Sequence, residues 1–580
     1  MLSAQKSSAR LRNLKWHRIR PKIIEKSDSE SKYSPEFASG LWAIVSPYHT
    51  NERLNENIPC LSSSKLKSDE YKSYNHCLGR RSLRKNSTFS IDSKSNTDYD
   101  NAKPFSQIPG PIGLPYLGTL FQYRKGPFQR FDIDHLKDAV IARYRQYGAI
   151  MKETVSGVTV VHLFHPDFIR TVFQSEGKIP HIAPLMETTQ RYRKLRNLSP
   201  GLGNSNGDEW YRLRSAVQQM MMRPKAVTAY LPLVNEVASD FVDGISRIKD
   251  SNGDVPNFLN EIAKWNIESS GMTCFEKRLG CFDAGKDSLP QKMIDANSEI
   301  FRLSTVLKFS VPWFRLFQTP TWKKVTEAED FFFGTGQGFV DECVSEINRI
   351  SERGELTEDK FLFMAYLLSR PELTYKDISI ITLSLFGDGL NTTSPTLLWN
   401  LYCLAKNQDV QQKVHEEVCQ VIPENQPITA EMINKLVYLK AFVKETFRFY
   451  PIGLDVARVP QENLVIGGYQ VPAGTHVEMN NFVLFSLSEY FNEPEKFLPE
   501  RWLRGGDAQN IHPFILTPFG HGPRMCAGRR FAEQEMYVVI SKLLQRYRLE
   551  WHHEDLNQKF QMLMIPDKPA TFTFVDRHKN

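Results

Sequence analysis

PFGHGPRMCAGRRFAEQE, residues Pro518 to Glu535, decides how the rest of the chain is read. It carries one thiol, Cys526, among glycines at 520, 522 and 528, with Arg524 two residues earlier. Glycines are needed where a loop turns tightly, where φ is positive, or where side chains would collide with a flat group lying against the backbone. A thiolate on such a loop suits the axial position of a haem iron. Phe519 can shield the sulfur from water, and Arg524 can reach a haem propionate through charge-assisted hydrogen bonds. A helix predicted to begin after Cys526 points its positive end at the sulfur, which favours the thiolate. A buried structural cysteine in a glycine-rich turn would account for a lone Cys, but not for the whole string F-x-x-G-x-R-x-C-x-G.

Working outward, KETFR places Glu445 and Arg448 at i and i+3 on one helix face, and FLPERW supplies Arg501. Further upstream, WYRLR sets Trp210 and Arg214 one helical turn apart, and DVARV holds Arg458. The segment GDGLNTTS, residues 387 to 394, lies in a long helical run. In this order these motifs resemble the cytochrome P450 superfamily, and the resemblance extends from about Pro109 to the C-terminus.

The resemblance implies a mainly α fold with a minor β-sheet region, haem b (iron protoporphyrin IX) lying between the long helix and the Cys loop. It implies Cys526 as the metal ligand, with Phe519 and Gly528 also at the haem. Trp210, Arg214, Arg458 and Arg524 are implied as propionate partners, and Glu445, Arg448 and Arg501 as a buried structural cluster. On the long helix it implies that Gly389 leaves room for dioxygen and that Thr392 hydrogen-bonds it. The implied reaction is insertion of one oxygen atom from O2 into a C–H bond of a lipophilic substrate, such as a sterol-like one in this branch. The expected pocket wall includes segments 179–185, 385–392, 453–456 and 563–565.

The sequence departs from the family at the proton-delivery position. Asn391 stands where an acid is usual, and Asp388 where Ala or Gly is usual. An amide can hold a water but cannot pass on a proton as a carboxylic acid does. Residues 388 and 392 share a helix face, so Asp388 is a candidate to replace the missing acid through a water; contact with substrate or a cation is an equal reading. Pro395 has no N–H for the carbonyl of residue 391, which predicts a widening or kink there, serving a proton path or packing alone.

The 580 residues are ordinary for a globular protein, with 41% hydrophobic and 24% charged residues and a net charge of +7. No long Lys/Arg tract with interleaved aromatics appears, so nucleic-acid binding is not expected. None of the 8 cysteines forms C-x-x-C, which argues against a zinc site or disulfide framework. No run of about 18 apolar residues occurs. Seven basic residues precede the first acid, Glu25, with no apolar segment among them, so residues 1–24 read as a mitochondrial transit peptide, or else as a disordered basic tail. Residues 25–103 read as disordered presequence and linker, and 104–580 as the catalytic domain, with order starting near Pro109. Helical spacing occurs at 208–223, 257–276, 288–308, 325–350, 376–406 and 436–449; strand-like pieces occur at 159–164, 464–472 and near the C-terminus.

Lys440, Lys444, Arg529 and Arg530 form a candidate docking face, or are simply solvated charges. LKAFVKETFR and CAGRRFAE resemble the mitochondrial branch, which implies an adrenodoxin-like [2Fe-2S] ferredoxin with an NADPH-dependent reductase. FSVPWFRLFQTPTWKK, residues 309 to 324, mixes Trp313, Phe314, Phe317 and Trp322 with Arg315, Lys323 and Lys324. It suits either a monotopic contact with the matrix face of the inner membrane or aromatic packing inside the fold. Two other functional classes remain open: a haem-thiolate isomerase or dehydratase that needs no external electrons, and a haem-binding protein without turnover.

Overall fold

The helical runs of the sequence take shape as Gly207–Met221, Phe258–Phe275, Leu289–Lys308, Pro320–Glu352, the pair Tyr375–Asn391 and Thr393–Lys406, and Val437–Phe449. They belong to a computed structural model that describes residues 96–577, apart from 284, 286 and 358. The candidate transit peptide and linker residues 25–95 lie outside the described residues. Residues 96–103, read as the end of the linker, are folded instead. Asn96–Asp100 is a short helix, and Lys103 exchanges backbone hydrogen bonds with Gly468 and Gln470 (2.9 and 2.8 Å). That pairing joins positions far apart in sequence, so local composition carries no sign of it.

The centre of the fold is Thr393–Lys406, buried at every position from Thr393 to Ala405. Neighbours cover every face of this helix, and buried polar side chains bond back along it, as Thr396 does to the Thr392 carbonyl and Asn400 to the Thr396 carbonyl. Trp399 stacks on Tyr450 with ring centroids 4.3 Å apart. The preceding helix, Tyr375–Asn391, opens with a capping box in which Thr374 and Asp377 satisfy each other's free amides. It ends at Asn391, and the next helix resumes at Thr393. The break is where Pro395 removes the amide that would bond the carbonyl of Asn391.

A four-stranded sheet supports one side of the site. Ile150–Val155 and Val158–Leu163 form a hairpin turned by Ser156 and Gly157 at φ +51° and +83°, the double positive φ of a two-residue hairpin loop. Val158–Leu163 runs parallel to His476–Met479, which pairs antiparallel with Val456–Arg458. The last two strands, only three and four residues long, went unread in the sequence because distant partners create them.

Beside the Cys loop, Glu445 is wholly buried and accepts five hydrogen bonds. Two come from Arg448 (3.0 and 2.7 Å), and one each from Arg501 (3.0 Å), the Trp502 indole (2.8 Å) and the Leu498 amide (2.9 Å). The remaining guanidinium donors reach backbone carbonyls such as Phe485, Pro494 and Asn492. The cluster thus ties the helix Val437–Phe449 to the segment that leads into the Cys loop.

Candidate active site

The Cys loop folds back tightly. Gly520 and Gly522 have φ of +71° and +72°, and the Cys526 amide donates to the Phe519 carbonyl at 2.9 Å. Gly528, unlike Gly520 and Gly522, has a φ of −80° that suits any residue. A Cβ there would lie 4.0 Å from Cys526 Sγ, so glycine keeps that side of the sulfur clear. The helix Arg529–Arg546 begins directly after Gly528. Burial pushes the Cys526 thiol up, as does Asp388; the amides of Gly528 and Arg529 and the guanidinium of Arg214 oppose it. The Phe519 ring meets Phe447 edge-on at 5.2 Å.

Across from the loop, the end of Tyr375–Asn391 presents Asp388 and Thr392. Both have accessible surface, as does Cys526, although burial dominates the titration of Asp388 and Cys526. Asp388 lies close enough for its charge to act on the Cys526 thiol. The Thr392 hydroxyl donates to the Asp388 carbonyl at 2.8 Å. Burial pushes the Asp388 carboxyl up to about 6 against the opposing charge of Arg193.

Two neighbours on this helix behave differently from expectation. Asn391 is buried and donates its amide to Asn297 of Leu289–Lys308, turned toward that helix. Gly389 faces Asn266: a Cβ there would come within 2.6 Å of its Oδ1. The glycine thus allows close packing of Tyr375–Asn391 on Phe258–Phe275, and the side chain on the cleft side of this turn is Asp388.

A third set, three arginines, borders the loop. Arg214 donates to the Met525 carbonyl at 2.8 Å and senses the Cys526 charge. Arg458, carried by the short strand, donates to the His521 carbonyl at 3.0 Å and pairs with Glu176. Arg524 stacks on Trp210 at 4.0 Å and donates to the carbonyls of Pro180, Leu202 and Ser205 and to Asn206. Burial pulls Arg524 down to about 9, helped by repulsion from Arg458 and Arg214. Three guanidiniums against one carboxylate leave two net positive charges, which match the two propionates of haem. With one free thiol opposite a polar helix turn, this donor set fits haem. Among the described residues no group of three or more His, Cys, Asp or Glu could hold a metal ion by itself.

On the outer face, Lys444 and Arg530 are exposed. Lys440 is half-buried with its ammonium on the Asn434 carbonyl (3.2 Å), and Arg529 pairs with Glu533 (3.0 Å). The aromatic segment divides. Phe314 and Trp322 are buried, whereas Trp313 and Phe317 are 53% and 57% exposed and stack at 6.0 Å. Ile112, Leu114, Tyr116 and Leu316 are exposed too, with Tyr116 near enough to act on Arg315. No helix among the described residues is long and apolar enough to cross a membrane.

Three residues near the site were not singled out from the sequence. Arg193, on Glu187–Leu195, bonds Pro200 and Ser384 and acts on Asp388. Glu329, pushed up to about 7 by burial, accepts from Thr189 at 2.9 Å. Glu176 caps a helix end. None belongs to a recognisable motif; only a charge in an otherwise apolar context could have flagged them.

This geometry, with one thiol on a glycine loop facing a broken helix across an arginine-lined cleft, is that of a haem-thiolate protein. A family model described as Cytochrome P450 matches residues 108–574. The chain is 38% identical over 488 residues to "Probable cytochrome P450 CYP44" of Caenorhabditis elegans, covering 83% of this chain and 96% of that protein. It is 33% identical to "Cytochrome P450 10" of Lymnaea stagnalis (82% of this chain, 86% of the relative). It is 32% identical to "Probable cytochrome P450 301a1, mitochondrial" of Drosophila melanogaster (82% and 88%). The chain belongs to the cytochrome P450 family, whose members are monooxygenases that bind haem b through a cysteine thiolate.

Proposed function

We propose that this P450 hydroxylates a lipophilic, sterol-like substrate in mitochondria, with Cys526 as the haem ligand and electrons from an adrenodoxin-like [2Fe-2S] ferredoxin and its NADPH-dependent reductase. The observation that carries the assignment is that Cys526, on its glycine loop, lies near enough to the Asp388–Thr392 turn for the Asp388 charge to raise the thiol's pKa. When bound, haem supplies the iron that activates dioxygen.

The chain's own residues then govern charge and protons. Arg214, Arg458 and Arg524, with Trp210 stacked on Arg524, would hold the propionates. The Thr392 hydroxyl, whose proton is given to the Asp388 carbonyl, offers its oxygen as an acceptor at the cleft. Asp388 titrates near 6, so both its forms are present close to neutrality and it can pass a proton through a water to Thr392. Asn391, held by Asn297, stands apart from this route. Asp388→Ala is expected to lower product formed per NADPH consumed, whereas Asn391→Asp, directed at Asn297, is not expected to raise it. An unchanged ratio in the first variant removes Asp388 from the path.

Several features support the partner and location. The relative from Drosophila melanogaster is named mitochondrial, the first acid of the chain follows seven basic residues, and Lys444 and Arg530 are exposed. Trp313, Leu316 and Phe317 with Ile112, Leu114 and Tyr116 supply exposed apolar side chains suited to peripheral contact with the matrix face of the inner membrane. Reconstitution tests the whole reading: a ferredoxin chain should support faster turnover than a microsomal diflavin reductase, with NADPH and dioxygen consumed in step with hydroxylated product. Turnover without external electrons would favour the isomerase, which the missing acid at 391 suits. A panel of sterols and fatty acids, scored by haem spin-state shift, identifies the substrate class.

A further inference from the structure

Glu176 is the one carboxylate bonded to any of the three arginines among the described residues, and it belongs to no motif of the chain. It follows the helix Pro166–Ser175 in extended backbone, which turns its side chain inward. One oxygen pairs with Arg458 Nε; the side chains of Glu176 and Arg458 are only 7% and 4% exposed. The other oxygen, Oε2, is buried and has no hydrogen-bond partner. It points at the Cys loop, since a Cβ on Gly522 would lie 3.0 Å from it. Arg458 in turn donates to the His521 carbonyl of that loop at 3.0 Å. A continuous path therefore runs from the helix end through Glu176 and Arg458 to the backbone five residues before Cys526.

A buried carboxylate with one oxygen unsatisfied is costly, and a packed interior keeps such a group only where something offsets the cost. Here the offset is charge. Arg458 and Arg524 both oppose the burial that pushes Glu176 up, and Arg524 is itself destabilised by Arg458 and Arg214. Without Glu176 the three guanidiniums would exceed the two propionates of haem by one buried positive charge. With it the loaded site is neutral.

We propose that Glu176 is a positioning residue for the haem: a fixed counter-ion that sets the charge of the arginine cradle and holds Arg458 on the Cys loop. This rests on the reading that the cradle holds haem propionates. Two consequences separate charge from structure. A fixed negative charge beside the haem opposes reduction, so its removal favours the ferrous state. Loosening Arg458 frees the Cys loop, so haem escapes faster.

The test uses the holoprotein and two readouts: the haem reduction potential, and haem transfer to excess apomyoglobin. Glu176→Gln should move the potential in the positive direction and speed haem loss about tenfold, the scale set by one charged hydrogen bond. Glu176→Asp, which keeps the charge but shortens the reach, should speed haem loss while leaving the potential near that of the wild type. If Glu176→Gln speeds haem loss with no change in potential, Glu176 is a structural tie only and the counter-ion role fails. Should Glu176→Gln not fold, an unaltered rate of haem loss in Glu176→Asp overturns the proposal. Arg524→Ala tests the underlying premise separately: haem retention equal to the wild type there would remove the cradle itself, whatever the Glu176 variants show.

Discussion

Two clusters flank the Cys loop, both made of a glutamate and arginines that are buried except for the half-buried Arg524, and their chemistry diverges because of how completely each is closed. Glu445 accepts five hydrogen bonds, and Arg448 and Arg501 fill their remaining donors with backbone carbonyls. Glu176 keeps one buried oxygen without a partner and stands against three guanidiniums that repel one another. A cluster satisfied from within has nothing left to bind and serves the fold. One left with excess charge is complete only with a ligand of opposite sign, which is the basis for proposing that it binds one.

The contrast is broken or sharpened most strongly at the closed cluster. Glu445→Gln leaves two arginines without their anion, at a cost of about 3–5 kcal/mol, enough to consume much of a domain's stability. The expected outcome is little or no folded haem protein, measured by haem content and thermal denaturation; a normal melting temperature would erase the distinction between the clusters. In the open cleft, Cys526→Ser should fold yet lose the strongly red-shifted band of the reduced, carbon-monoxide-bound protein, together with turnover. A variant that kept that band would disprove Cys526 as the ligand.

A smaller effect tests the distal side. The folded pKa of Asp388 lies above its unfolded value, so folding takes up a proton between about 4 and 6, and this group weakens the fold as pH rises through that window. Asp388→Asn should therefore raise the melting temperature above pH 6, with the gain fading below about pH 4. A gain independent of pH would assign it to packing. The smallest effect is on the surface: Lys444→Glu and Arg530→Glu should weaken ferredoxin-supported turnover at low salt several-fold, while Lys440→Glu, already tied to Asn434, should do less. Equal effects at high salt would point away from an electrostatic partner face.

Much of this was legible in advance where a motif is local. Gly520 and Gly522 have the positive φ that the loop string predicted, the helix pair breaks beside Pro395, and Arg448 meets Glu445 one helical turn away. The less legible parts depend on partners distant in the chain. The aromatic segment at 309–324 shows why: identical ring chemistry points inward at Phe314 and outward at Phe317, and only the neighbouring Trp322 and the outer face decide which.

The sequence alone determined the family, the thiol and the helix turn opposite it, because each is encoded within a few consecutive residues whose spacing follows from backbone geometry. Tertiary structure alone decided that Asn391 turns to Asn297, that Gly389 makes room for Asn266, and that Glu176 meets Arg458. Those contacts join residues roughly a hundred or more positions apart, and pattern in a linear chain carries no record of which distant groups share a low-dielectric interior, where one unpaired charge decides what can bind.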